Sequence, residues 1–599
     1  MDLSQSLVSA ITKPSFAFDH SHQPRPPSPN TLDPRISWDS SLLNPKNRIL
    51  SLNTKSSKWR IDGATQCGRQ FYAVPVCLLP EMIPLRIDIY IPDQEEHPPE
   101  LRNALQSSFS VCMRHPRLEN LGISRHICRA LDHQCIRDSK FLQNYQKLPF
   151  GSKLVFENIA ADVGSMVLTV VPNHELEREF LSVPTLQRLW ADEVPKDSWP
   201  ETVDLTRLRL RNQLHDTISV VSLLVESDYR LGGDLIFKSS NNDTKFIYHE
   251  LKMLLKCPPH PNVMGPPLYI VTKKSNFGGK HGVCGFILPY YPLGSVRDVI
   301  PVNVTAGRLT FKQQLKWSRQ ILSALIHIRE AMGTFYSDLR PDNLLLSKSG
   351  SGPDEDIVLC DFEQRGNWHE WCAPEVLYLM YAENLWACPS LEAQSYIPRD
   401  LVKEKLQKGA ASDGPQSQSI RRGPHGSNLA WFSLSHSAHE KAQVYSVGLL
   451  LYCIFEGLSN VRVSLANAWP SEPHIAFPNF RRTPRSVQDC IRQCTIDSPE
   501  WELEADRSES GKEAHSGGER MTRIDAKLYT AGGAPIDSDG ETSTKAVFEA
   551  AVIWWRSEVR RAKAFFESDQ WQNDRSGRAR PTLRDVLAML EAIESETDE

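Results

Sequence analysis

Two carboxylates, a carboxamide and a guanidinium fall close together in one part of the chain. The stretch runs Tyr336-Ser337-Asp338-Leu339-Arg340-Pro341-Asp342-Asn343-Leu344-Leu345-Leu346, and soon reaches Ile357-Val358-Leu359-Cys360-Asp361-Phe362-Glu363. A positioned carboxylate such as Asp338 can take the proton of an attacking hydroxyl. Asn343 and Asp361 offer hard oxygen donors of the kind that suit Mg2+. Arg340 can neutralise an anion through its planar fork. The set fits chemistry on a phosphate. The Asp-x-x-x-x-Asn interval alone fits a surface turn before a hairpin equally well, so the neighbouring segments must carry the reading.

Those segments supply elements that could position the set. The apolar runs at 344–346 and 357–359 read as the two strands of a hairpin. Phe311 to Met332 reads as an amphipathic helix, with Leu315, Trp317, Ile321, Leu322, Leu325 and Ile328 on its apolar side. Upstream, Leu235-Ile236-Phe237-Lys238 reads as a strand ending in Lys238. Glu250 sits on a helical pattern marked by Phe246, Ile247, Leu251, Leu254 and Leu255, followed by His260-Pro261-Asn262-Val263. Leu208 to Arg211 and Ile218 to Val225 read as two strands around the turn Asn212-Gln213-Leu214-His215-Asp216-Thr217.

In this order the segments resemble the signature set of a eukaryotic-type protein kinase. Cys372-Ala373-Pro374-Glu375 stands where that family keeps Ala-Pro-Glu, and Arg580-Pro581-Thr582 where it keeps the Arg that pairs with that Glu. Leu288-Pro289-Tyr290-Tyr291-Pro292-Leu293-Gly294-Ser295 resembles the hinge between lobes. The chain looks like the divergent, fungal-type kinase-like proteins. The resemblance implies an α+β, bilobal fold, with a small β-rich lobe and a helical lobe, using ATP and Mg2+. It assigns Asp338 as proton acceptor, with Arg340 and Asn343 beside it, and Asn343 and Asp361 as metal ligands. Lys238 and Glu250 become the phosphate-holding pair, and Leu288 the gatekeeper. Backbone groups of Pro289 and Tyr291 would meet adenine, Ser295 would flank the nucleotide, and Glu375 and Arg580 would form a structural pair.

The chain also departs from the family. The turn at 212–217 has no glycine, where the family uses glycines so that backbone amides can approach phosphates. The segment from Asp361 to Ala373 is short and lacks Ser, Thr and Tyr, and Ser337 replaces the Arg that reads a phosphate there. Switching by loop phosphorylation is therefore not expected. Glu363 replaces Gly, and Gln443 replaces the Asp that anchors the catalytic loop.

Composition sets outer bounds. Over 599 residues the hydrophobic content is 40% and the charged content 24%, ordinary for a globular protein. A formal charge of −5 argues against a dominant nucleic-acid surface. The 13 cysteines lack paired metal spacing and suggest a reducing compartment. No apolar run approaches the roughly 18 residues of a membrane span. The N-terminus lacks the basic start of a secretory signal, so a cytoplasmic or nuclear location is expected.

The expected organisation has three parts. A Pro/Ser-rich disordered tail covers 1–65, and a small mixed α/β domain 68–198. A kinase-like domain follows over 204–596, with inserts at about 387–440 and 497–545. In the α/β domain, His126, Cys128, His133 and Cys135 form helix stripes rather than a zinc pattern. The leading expectation is ATP-dependent phosphorylation of a protein Ser/Thr hydroxyl. The alternatives are a pseudokinase acting as a nucleotide-binding or scaffolding module, and a small-molecule kinase.

Overall fold

The computed structural model describes residues 40–44, 47, 57–65, 70–79, 81–85, 87–91, 122–224, 233–240, 244–275, 278–348, 355–363, 371–387, 391–402, 434–461, 475, 477–501, 522–524, 527–529, 544–572 and 579–598. The expected tail and both expected inserts lie largely outside these residues. The architecture is mixed α+β, and the chain divides into two compact units. One comprises Asp19–Lys256 with Pro266–Tyr290, the other Cys257–Gly265 with Tyr291–Glu599.

The first unit holds two sheets. Strands β1 (Trp59–Thr65), β2 (Gln70–Pro75), β3 (Asp88–Tyr90), β4 (Lys153–Phe156) and β5 (Leu168–Val171) lie in that spatial order. Only β3 and β4 run parallel. A parallel pair needs a long crossover, and helix α1 (Gly122–Arg137) lies in it. Ile123, Ile127 and Leu131 recur every fourth residue, so they form one stripe, buried with Trp59, Phe71, Ile89 and Leu154. His126 turns inward too, and its Nε2 meets the Ala160 carbonyl at 2.9 Å. Burial pushes this imidazole down to about 4, which makes it a neutral packing group. β1 lies wholly inside 1–65, the range expected to be a disordered tail.

The second sheet contains β6 (Thr202–Asp204), β7 (Leu208–Gln213), β8 (Ile218–Leu223), β9 (Leu235–Ser239), β10 (Tyr269–Lys274) and β11 (His281–Pro289). Their order is β6-β10-β11-β9-β8-β7. Leu205, Leu208, Val221, Phe237, Val271 and Ile287 pack its core. Helix α2 (Thr244–Lys256) follows β9.

The second unit is mainly helical. It contains α3 (Val296–Thr305), α4 (Phe311–Met332), the antiparallel hairpin β12 (Leu344–Lys348) and β13 (Glu355–Leu359), α5 (Pro374–Ala387), α6 (His436–Glu456), α7 (Arg485–Cys494), α8 (Thr544–Glu567) and α9 (Leu583–Asp598). The Thr310 hydroxyl accepts the Gln313 N–H at 3.2 Å and starts α4, and Gly333 ends it at φ 64°. The apolar side expected for this helix is buried.

Helix α6 is buried on nearly every face, because its sequence from Val444 to Phe455 is apolar all round. At its end the buried carboxylate of Glu456 accepts the backbone N–H groups of Arg481, Arg482 and Thr483 at 3.0–3.2 Å, and the Thr483 hydroxyl as well. Removing that acceptor strands buried donors. Glu456→Ala should lower unfolding free energy by about 3 kcal/mol, read as a fall in the urea midpoint, whereas Glu456→Gln should lose less.

Candidate functional site

Extended chain leaves Gly333 and carries Tyr336, Ser337 and Asp338 toward a short turn of 3-10 helix at Pro341–Asn343, which hands over to β12. The turn brings Asn343 back onto Asp338. Asn343 Nδ2 donates to the Asp338 carbonyl at 2.8 Å and to its Oδ2 at 3.0 Å. Arg340 Nε lies 3.3 Å from both Asp338 carboxylate oxygens. Among the described residues Asp338 Oδ1 accepts no hydrogen bond. Burial pushes the Asp338 carboxyl up to about 6; Arg340 acts against this shift and Asp361 adds to it. Burial also opposes the charge on Arg340, but Asp338, Asp342 and Asp361 outweigh it and raise its pKa.

Asp361 follows β13 in the left-handed region, at φ 67°, a conformation that Asp tolerates better than most residues. Three contacts hold the backbone of Cys360 and Asp361. The Cys360 N–H donates to the Asn343 carbonyl at 3.0 Å, and the Tyr336 hydroxyl reaches the Cys360 and Asp361 carbonyls, the latter at 3.2 Å. Phe362 is fully buried, edge-on to the Tyr336 ring at 5.5 Å. Sequence reasoning passed over Tyr336. Its only signal was an aromatic residue two positions before Asp338. Gln443 Nε2 donates to the Tyr336 carbonyl at 2.8 Å, so the amide that replaces Asp still ties α6 to this loop.

Farther out, the Asn262 side chain donates to the Ile357 carbonyl at 2.8 Å, and Met264 N–H to the Leu359 carbonyl at 2.8 Å, fastening the His-Pro-Asn turn to β13. Glu375, in the first turn of α5, receives Arg580 in a two-pronged pair at 2.7 and 3.0 Å. Arg580 also meets Asp497 at 3.1 Å and the Lys441 carbonyl at 3.1 Å. Residues 364–370, read as the short segment without phosphorylatable side chains, lie outside the described residues.

In the first unit Lys238 of β9 and Glu250 of α2 form an ion pair at 2.5 Å, with side chains 5% and 1% exposed. β9 and β11 approach so closely here that a Cβ on Gly285 would sit 2.1 Å from the Lys238 carbonyl. Leu288 and Pro289 end β11, opposite Ile236 and Leu235. Tyr291, in the second unit, is half-buried. The Ser295 hydroxyl is engaged in capping α3: it accepts the Asp298 N–H at 3.4 Å and donates to the Asp298 carboxylate at 2.9 Å. A buried ion pair is no more stabilising than well-packed apolar side chains, so stability alone does not account for the Lys238–Glu250 pair.

No family model matches the chain. Among the described residues no helix is long and apolar enough to cross a membrane. The chain is similar in part to CBL-interacting serine/threonine-protein kinase 12 of Arabidopsis thaliana, 28% identical over 143 residues, which are 22% of this chain and 27% of that protein. CBL-interacting serine/threonine-protein kinase 19 of the same plant is 28% identical over 145 residues, with the same shares. The chain thus spans 27% of the length of these relatives, and the similarity is a partial, kinase-like one.

Proposed function

We propose that the chain transfers the γ-phosphoryl group of ATP to a Ser or Thr hydroxyl of a protein. The observation that carries this reading is the Asp338 carboxylate. Asn343 donates to one of its oxygens, Arg340 Nε stands 3.3 Å from both, and Oδ1 accepts no hydrogen bond among the described residues. In this role Asp338 Oδ1 takes the proton of the attacking hydroxyl while Asn343 keeps the carboxylate in orientation. Arg340, fixed against Asp338, offsets negative charge on the transferring group. Lys238, held by Glu250, binds the α and β phosphates. Backbone groups of Pro289 and Tyr291 hold adenine, with Leu288 at its edge.

Asn343 and Asp361 fit a divalent cation. The Asn343 amide spends its Nδ2 on Asp338, and its Oδ1 accepts no hydrogen bond among the described residues. Bound Mg2+ would neutralise phosphate oxygens. Asn343 is buried and the Asp338 side chain is only 13% exposed, which limits water at the carboxylate. Partial likeness to serine/threonine kinases favours a protein substrate.

A pseudokinase is the second reading, and one observation favours it. In the turn at 212–217, the amides of Gln213, Leu214 and His215 all have acceptors within the protein. They are unavailable to phosphates.

Titration of the full chain with ATP and Mg2+ decides between these readings. Saturable binding with turnover on a Ser/Thr peptide library is expected, and absence of binding at millimolar nucleotide overturns the proposal. Asp338→Asn should retain nucleotide binding and lose turnover by at least about 100-fold. Binding without turnover in the unmodified chain selects the pseudokinase. Lys238→Met should weaken nucleotide affinity about tenfold through loss of the phosphate contact, measured by the same titration alongside a melting curve.

A further inference from the structure

Two irregular strands meet beside the turn at 212–217. The register of β1 against β2 shifts at Asp62, between Ile61 and Gly63, and that of β7 against β8 shifts at Arg211, between Leu210 and Asn212. Each shift is a β-bulge, which unpairs backbone groups and re-aims a side chain. Here the two bulges satisfy each other. The Asp62 carboxylate, 1% exposed, accepts the Gln213 N–H at 2.8 Å. Arg60 pairs with Asp62 through its Nε and Nη2, and Nη2 also reaches the Arg211 carbonyl at 3.3 Å.

A ring contact completes the connection. The Tyr72 ring packs against the His215 ring, with centroids 6.3 Å apart. Tyr72 lies across from Gly63 on β2, where a Cβ would sit 2.7 Å from the tyrosine ring, so the glycine makes room for it. The far end of the turn is anchored next to the phosphate lysine. Ile218 pairs with Lys238, and the Thr217 carbonyl accepts the Ser239 N–H at 2.8 Å.

The geometry points to the β1–β2 hairpin as a strut that fixes the turn over the nucleotide phosphates, with Asp62 and Arg60 as positioning residues. This inference rests on the kinase reading above. A turn without glycine has few conformations that leave room for a phosphate, so its placement must come from outside itself. A turn already held in place need not be ordered when nucleotide binds, and the affinity keeps the free energy that ordering would cost.

The test uses the full chain, ATP with Mg2+, and amide hydrogen exchange. Asp62→Ala should raise the KM for ATP about fivefold, the worth of one such hydrogen bond, with kcat within about twofold. Asp62→Asn keeps an acceptor for Gln213 and should recover most of the loss. Exchange at Gln213 should accelerate at least about tenfold in Asp62→Ala. Arg60 is 30% exposed, so Arg60→Gln serves as a second variant if Asp62→Ala melts early, with the same direction expected. Unchanged Gln213 exchange, or an unchanged KM in a chain that does turn over ATP, overturns the strut alone. Failure of the unmodified chain to bind nucleotide overturns the kinase reading and the strut together.

Discussion

The double donation from Asn343 to Asp338 is the constraint on which the rest of the candidate site depends. A carboxylate removed from water tends to regain its proton, and burial raises the Asp338 pKa accordingly. A neutral amide at one oxygen, with Arg340 beside it, opposes that tendency without occupying the second oxygen. The same amide contact closes the chain from Asp338 to Asn343 into a tight turn, which places the first residue of β12. Through the Cys360 N–H to the Asn343 carbonyl, that turn also sets where β13 delivers Asp361. One side chain therefore fixes an acid, a strand start and a second acid.

Around this turn lie buried polar groups that make contacts with partners distant in sequence. Gln443 on α6 holds the Tyr336 carbonyl, Ser446 donates to the Trp371 carbonyl at 2.8 Å, and Arg580 grips Glu375. Left unpaired, each of these groups would cost more than its hydrogen bond returns. These three contacts together restrict how the helices of this unit can pack around the loop. Apolar packing of α4 and α6 supplies the bulk of the stability, while the polar contacts select the register in which the loop is held.

Much of this was legible in the sequence, for a physical reason. Short continuous apolar runs beside a polar turn read as strands, and those at 344–346 and 357–359 pair as the hairpin β12–β13. The pairs Lys238–Glu250 and Glu375–Arg580 also form, the second across 205 positions. Other features left no local trace. β1 and β2 were missed because the bulge at Asp62 and the glycine after it break the two-residue alternation, next to a Ser- and Asn-rich stretch. The two-residue alternation runs from Leu85 to Ile91, yet the strand is only Asp88–Tyr90, since its length depends on partners. The role of Glu456 leaves no sequence signal because its donors, the backbone of 481–483, carry no side-chain signature. Ser295, assigned to the nucleotide by its place after the hinge-like stretch, has its hydroxyl engaged by Asp298.

The turn at 212–217 shows how a missing local feature can be replaced at a distance. Glycines let a phosphate-covering turn bring its amides close and move as it does so. This chain has side chains there, and it directs the amides of Gln213, Leu214 and His215 to acceptors of its own. Such a turn gives up amide contacts to phosphate and gains rigidity. In the kinase proposed above, that exchange is useful only where Lys238 and a metal carry most of the phosphate charge, because a point charge tolerates a fixed cover that contributes no hydrogen bonds. On that proposal the glycine-free turn and the deeply buried Lys238–Glu250 pair are parts of one design: the less the cover contributes, the more firmly the lysine must be held.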